Sequence, residues 1–243
     1  MNDSSVGRNL AAEFVGTAIV MLGGPGLIVF GNGIGPLGIA VGFGASVAIA
    51  IGVIGALANP MFSLALWFSR GITSRELGVD LAGQILGGLF GGALIFGLND
   101  TDRLTLGVNG WDHSGLAELG VVMGAEFVVS TMVVVVLLSA ISQQRSNAAV
   151  ASFTGAAFLI GMLFLLDISG GGMNPARSIG VAVFADTDPN ALGQIWLFII
   201  VPVVSAFAGT LVWLAIDDAT IDDTIFDDSV LEDVVDAVTG DDD

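Results

Sequence analysis

The chain has 243 residues, 54% of them hydrophobic, a mean hydropathy of +0.88 and a net charge of −18, with no cysteine, no lysine and one histidine. That apolar share exceeds the roughly 45–50% of soluble globular chains, so the bilayer is the first solvent to consider. Absent thiols exclude disulfides and thiol catalysis, the single imidazole of His113 forms no metal cluster, and the acidic balance opposes a nucleic-acid partner.

Six apolar stretches have the roughly 20-residue length that a spanning helix needs. The first, 9–31, contains Glu13 and is followed by no small-residue cleavage site, so it reads as a retained span and not as a removable signal peptide. The second covers 35–58. The third, 79–98, holds Gly83, Gly87, Gly88, Gly91 and Gly92, small residues that let helix backbones approach closely where lipid supplies no hydrophobic drive. The fourth, fifth and sixth cover 116–141, 148–168 and 192–216, and Glu126 lies in the fourth.

Two further stretches, 60–69 and 175–184, are too apolar for loops and too short to cross, at roughly 15 Å as helix. Asn59-Pro60 and Asn174-Pro175 precede them. Asparagine is a favoured helix cap, and proline suits the first turn, where its missing N–H is no loss. Each stretch therefore reads as a re-entrant half-helix.

After Asp217 the composition changes. Twelve of the 24 acids fall between Asp217 and Asp243, leaving the body about −6. Like charge repels such a tail from an anionic membrane surface, so it projects into water. It reads either as disordered chain or, because Val230, Leu231, Val234, Val235 and Val238 recur at helical spacing, as a short amphipathic helix. Aspartate outnumbers glutamate 19 to 5, an acidic surplus that suits concentrated salt and points to a salt-loving prokaryotic source.

Internal repetition organises the rest. Ala12-Glu13-Phe14-Val15 recurs as Ala125-Glu126-Phe127-Val128 after 113 residues, and Asn59-Pro60 recurs as Asn174-Pro175 after 115. Each half has three spans, an odd number, so the halves enter the membrane from opposite sides. The expected fold is all-α and integral to the membrane, with six transmembrane helices and two half-helices in an inverted 3+3 repeat: residues 1–110, residues 111–216 and an acidic tail, 217–243. Arg8, Arg70, Arg75 and Arg145 then face one side and Arg103 the other, which places both termini in the cytoplasm.

The stretch Ser169-Gly170-Gly171-Gly172-Met173-Asn174-Pro175-Ala176-Arg177-Ser178 resembles the aquaporin, or major intrinsic protein, family almost letter for letter. The likeness covers roughly residues 8–216 and includes both Ala-Glu-Phe segments, Gln84, Trp196, Pro202 and Gly209. In Gly55-Ala56-Leu57-Ala58-Asn59-Pro60-Met61 the chain departs from the family, with Leu57 in place of the usual histidine and Met61 in place of alanine. The resemblance implies a passive channel in the plasma membrane for water, or alternatively for glycerol or another small neutral solute, assembled as a homotetramer and needing no cofactor. Half-helix N-termini that meet near the midplane carry about half a positive charge each. With the Asn59 and Asn174 amides they would orient passing water, interrupt a proton wire and repel cations.

Further roles follow from the likeness. Arg177 would line a constriction with Gly171, Met162 and a residue of the second span, either Ile39 by ungapped counting or Phe43 after a slip of one turn. Met61 would either intrude on the lumen or pack behind the half-helix as a gap filler, the latter being the preferred reading. Glu13 and Glu126 would accept otherwise unsatisfied backbone N–H groups of the re-entrant segments; the rival reading makes them proton-relay groups of a coupled transporter. Ser178 and Ala182 resemble the water-channel type, whereas the constriction set matches neither water nor glycerol members.

Overall fold

A computed structural model describes residues 3–99, 105–111 and 116–217. The acidic tail beyond Asp217, Arg103 and His113 lie outside the described residues, as do the expectations attached to them.

Among the described residues, six helices are long and apolar enough to cross a bilayer: α1 (Ser5–Phe30), α2 (Gly35–Ile54), α4 (Ser74–Leu98), α5 (Glu118–Ser142), α6 (Asn147–Ser169) and α8 (Ala191–Ile216). Two short helices, α3 (Pro60–Phe68) and α7 (Pro175–Ala182), lie between α2 and α4 and between α6 and α8. The fold is the all-α inverted 3+3 repeat, and the protein is a multi-pass membrane protein. Leu37, Val53, Leu98, Met132, Ile160 and Ile216 are exposed on the outer surface, where hydrocarbon is the natural neighbour.

The ends of the helices differ from the hydropathy limits for local reasons. The second span stops at Ile54 because Gly55 takes a left-handed φ of 75° and turns the chain out of the helix. The third starts at Ser74, five residues before its apolar run. Thr73 accepts from the Glu76 N–H while Glu76 accepts from the Thr73 N–H, a reciprocal cap that supports a polar first turn. Within α1, Pro25 lies in a wide π turn, Leu22–Gly26, as a residue without an N–H would produce.

Packing respects the repeat. Helix α1 lies against α4 and α5 against α8, while α2 and α6 meet across the two halves. These contacts approach backbone to backbone. A Cβ on Gly87 would lie 2.3 Å from the Phe14 carbonyl oxygen, and one on Gly44 would lie 2.5 Å from that of Gly155. Each half-helix also leans on the third span of the other half. A Cβ on Gly88 or Gly92 would strike Ala176 O or Gly180 O of α7, and Thr210 Oγ1 of α8 donates to Ala65 O of α3 at 3.5 Å. The halves are thus interlocked around their half-helices.

Candidate functional site

Both half-helices begin in the same way. Asn59 and Asn174 are extended, with φ of −156° and −145°, and proline follows each. Asn59 Oδ1 accepts from Met61 N at 3.0 Å and Asn174 Oδ1 from Arg177 N at 3.2 Å, so each side chain caps its own helix. The amide nitrogens point across. Asn59 Nδ2 donates to Met173 O at 2.9 Å, and Asn174 Nδ2 donates to Ala58 O at 2.8 Å. The two N-termini therefore meet tip to tip, each cap holding the residue that precedes the other.

Those preceding residues are unusual. Ala58 and Met173 have φ of 54° and 43°, a left-handed conformation costing a side-chain-bearing residue roughly 1–2 kcal/mol. Buried carboxylates offset this. Glu13 accepts from Leu57 N at 2.7 Å and Ala58 N at 2.8 Å, and Glu126 accepts from Gly172 N at 2.6 Å and Met173 N at 3.2 Å. Each left-handed residue is thus held by a carboxyl group that accepts two backbone N–H groups in succession. Gln84 Nε2 also donates to Glu13 at 2.8 Å, and Ser169 Oγ donates to Glu126. Both acids bind backbone and neutral side chains.

Arg177 is wholly buried one turn into α7. Its Nη1 donates to Asn109 Oδ1, and its Nη2 donates to Gly107 O at 2.7 Å and Gly170 O at 3.1 Å. The guanidinium lies 5.6 Å from the centre of the Phe43 ring, within cation–π range. Nε has no partner in the protein. Of the two second-span candidates, Phe43 is buried beside Arg177 and Ile39 is only partly buried. Met162 lies against Gly171, where a Cβ would stand 2.3 Å from its Sδ and displace the thioether, and the φ of 69° at Gly171 itself disfavours a side chain. Met61 is fully buried within the central apolar cluster, which also contains Phe62 and Leu137.

Cavities open on both sides of this buried zone. One, about 600 Å³, is bordered by Asn109, Trp111, Ser169, Gly170 and Gln194 on the Arg177 side. Another, about 310 Å³, is bordered by Gly55, Leu57, Ile141, Arg145 and Val150 on the far side of Asn59. Leu57 thus faces a mouth.

Several participants escaped the sequence reading. Asn109 lies in the segment between the third and fourth spans, and nothing in its Gly-Val-Asn-Gly surroundings signals a partner 68 residues away. Phe158 was findable: it stands 115 residues after Phe43, the asparagine offset, and its ring lies 6.1 Å from Phe43 and 6.4 Å from Phe62. Asp80 is a third buried acid within a span, beyond Glu13 and Glu126.

The chain is similar to known proteins in sequence and in fold. The sequence model of the Major intrinsic protein family matches residues 1–213. The chain is 32% identical over 227 residues to Aquaporin Z of Brucella melitensis, covering 85% of this chain and 96% of that one. It is 30% identical over 219 residues to Aquaporin Z of Photorhabdus laumondii, covering 83% and 94%. Glycerol uptake facilitator protein-like 6 of Lactiplantibacillus plantarum is 28% identical over 204 residues, covering 82% and 93%. In fold, the aquaglyceroporin of Plasmodium falciparum superposes with a TM-score of 0.72 at 19% identity, covering 93% of this chain and 99% of that one.

Proposed function

Because the chain belongs to the major intrinsic protein family, we propose that it is a passive channel whose preferred permeant is water and which excludes protons and ions. The carrying observation is the crossed pair of asparagine bonds between two opposed helix N-termini. An amide nitrogen has two hydrogens, and the cross-bond takes one. The other N–H on each asparagine serves the oxygen of a passing molecule, while the two positive helix ends orient its hydrogens outward and repel cations. Arg177 adds a fixed positive charge one turn from the Asn174 cap. Phe43, Met162 and Gly171 make the remaining wall of the constriction.

Glycerol or another small neutral solute is the second reading. It is favoured by a wall that pairs Arg177 with an aromatic face and a flexible thioether, and by the likeness to a glycerol uptake facilitator-like protein. We further place the chain in the plasma membrane as a homotetramer, with residues 1–110 and 111–216 as the two repeats and both termini cytoplasmic. Coupled transport is disfavoured because Glu13 and Glu126 are committed to backbone N–H groups.

Stopped-flow light scattering on vesicles holding the purified protein tests the reading. Water flux with low activation energy, indifferent to pH and sodium gradients, is expected. Arg177→Ala should raise glycerol permeability relative to water. An unchanged ratio would remove Arg177 from the constriction.

A further inference from the structure

Ser63 and Ser178 are separated by the same 115 residues as the two asparagines, and each lies one turn into its half-helix. Ser178 Oγ donates to Asn109 Oδ1 at 2.7 Å, the acceptor it shares with Arg177. Ser63 Oγ donates instead to Asp80 Oδ2 at 3.1 Å, and Asp80 Oδ1 accepts from Asn9 Nδ2 at 2.7 Å. Asp80 is 4% exposed within α4, where an ionisable side chain is expensive to keep. The permeation scheme above makes no use of it.

We propose that Asp80 is a positioning residue for permeation: by taking the Ser63 hydroxyl hydrogen it fixes the donor and acceptor roles in a side-chain network that reaches the backbone before Asn59. The inference rests on the channel reading.

The roles follow from donor counts. Glu13 accepts from Leu57 N, Ala58 N and Gln84 Nε2. Gln84 Nε2 donates its second hydrogen to Ser63 Oγ at 2.8 Å. Ser63 is thereby an acceptor toward Gln84, and its single hydrogen has to leave in another direction. Asp80 receives it, and the second Asp80 oxygen is occupied by Asn9. Each role is thus assigned from Asn9 to Ala58: Asp80 accepts from Asn9 and Ser63, Gln84 donates to Ser63 and Glu13, and Glu13 accepts from Ala58 N, whose residue's carbonyl holds Asn174.

Without an acceptor at Asp80, a helical serine turns to the carbonyl four residues back, here Asn59 O. Ser178 already makes that contact in its half, to Asn174 O at 3.2 Å, but Asn109 shares its hydrogen. Asn59 O also accepts from Phe62 N and Ser63 N. A third donor there pulls on the residue whose side chain crosses to Met173. Asp80 for Ser63 and Asn109 for Ser178 are two solutions to one problem.

Exchanging the polarity of the Asn9–Asp80 pair tests this in full-length protein reconstituted in vesicles, with osmotic water permeability expressed per protein. Asp80→Leu removes the acceptor for the Ser63 hydroxyl at similar volume, and Asn9→Asp sets carboxylate against carboxylate. Each should lower permeability about fivefold, the weight of one misdirected hydrogen bond. The double variant Asn9→Asp/Asp80→Asn restores a donor–acceptor pair and should recover to within about twofold of wild type on the same basis. Ser63→Ala removes the hydroxyl and with it the third donor to Asn59 O, so adding Asp80→Leu in a Ser63→Ala background should cost no further permeability. Full permeability in the single variants, or a further loss on adding Asp80→Leu to Ser63→Ala, overturns the proposal. So does a double variant no better than the worse single, since a purely structural role shifts thermal stability without polarity rescue. Wild-type vesicles distinguish the two levels: no wild-type water flux defeats the channel reading and this inference together, whereas normal wild-type flux that the variants leave untouched defeats only the role of Asp80.

Discussion

Asn174 donates to the carbonyl of Ala58 at 2.8 Å while its own side-chain oxygen caps α7 through Arg177 N, so one amide closes a helix and clasps the opposing half-helix. Two helix N-termini brought tip to tip repel each other. The clasp, repeated by Asn59 on Met173, holds them together.

Asn174→Asp separates the two tasks. A carboxylate keeps the cap but offers no donor to Ala58 O, so the clasp is lost. Thermal unfolding in detergent should show a loss of about 1–3 kcal/mol for the unpaired buried acceptor, and water permeability should fall. Asn174→Ala loses the cap as well and should lose a further ~1 kcal/mol. Equal stability of the two variants would show that the cap contributes nothing.

Glu126→Gln puts an amide N–H against the backbone N–H groups of Gly172 or Met173. The left-handed Met173 then lacks the bonds that offset its strain, and a destabilisation of about 2–4 kcal/mol is expected. Glu13→Gln should behave alike at Leu57 and Ala58. Denaturation midpoints that match wild type in both would mean the carboxylates are dispensable to the half-helices.

Gly171→Ala places a Cβ 2.3 Å from Met162 Sδ at a residue with φ of 69°. Water permeability should drop and stability should fall by about 1–3 kcal/mol. Adding Met162→Ala relieves the clash but not the backbone strain, so the pair should be non-additive. On the proposed constriction, Met162→Ala alone should raise the glycerol-to-water permeability ratio. Additive behaviour would place the two residues in separate parts of the wall.

Gly92→Ala drives a methyl into Gly180 O at 1.9 Å, on the face of α4 that supports the arginine-bearing half-helix. Overpacking of this kind costs about 1–3 kcal/mol and should lower permeability through displacement of α7. Gly97 is a matched control in the same helix, with open space around its Cβ position, so Gly97→Ala should be neutral or stabilising by up to ~1 kcal/mol. Similar losses in both would indicate that helix propensity and not contact decides.

Much of the fold was legible in order along the chain. A bilayer leaves no backbone polar group unpaired, so apolar runs of spanning length have to be helices and two shorter ones have to be buried by protein. The 115-residue offset named the asparagines, and applied further it reaches Ser63 with Ser178 and Phe43 with Phe158. The placement of Phe43 beside Arg177 was not legible. Residues 50–54 of α2 form a wide π turn, which inserts extra chain between the helix and Asn59 and alters the face that simple counting assigns.

Residue types and spacing therefore determined that this chain spans a membrane six times, repeats itself in inverted form and turns two capped half-helices back into the bilayer. Tertiary structure alone decided which side chains complete the site: Asn109 on Arg177, Asp80 on Ser63, and each asparagine on the carbonyl of the other half. Periodicity reports what a residue's near neighbours require, because helix formation is local. These partners lie 17 to 116 residues apart, and only the folding of α4 and the 105–111 segment against the half-helices brings donors and acceptors to one place.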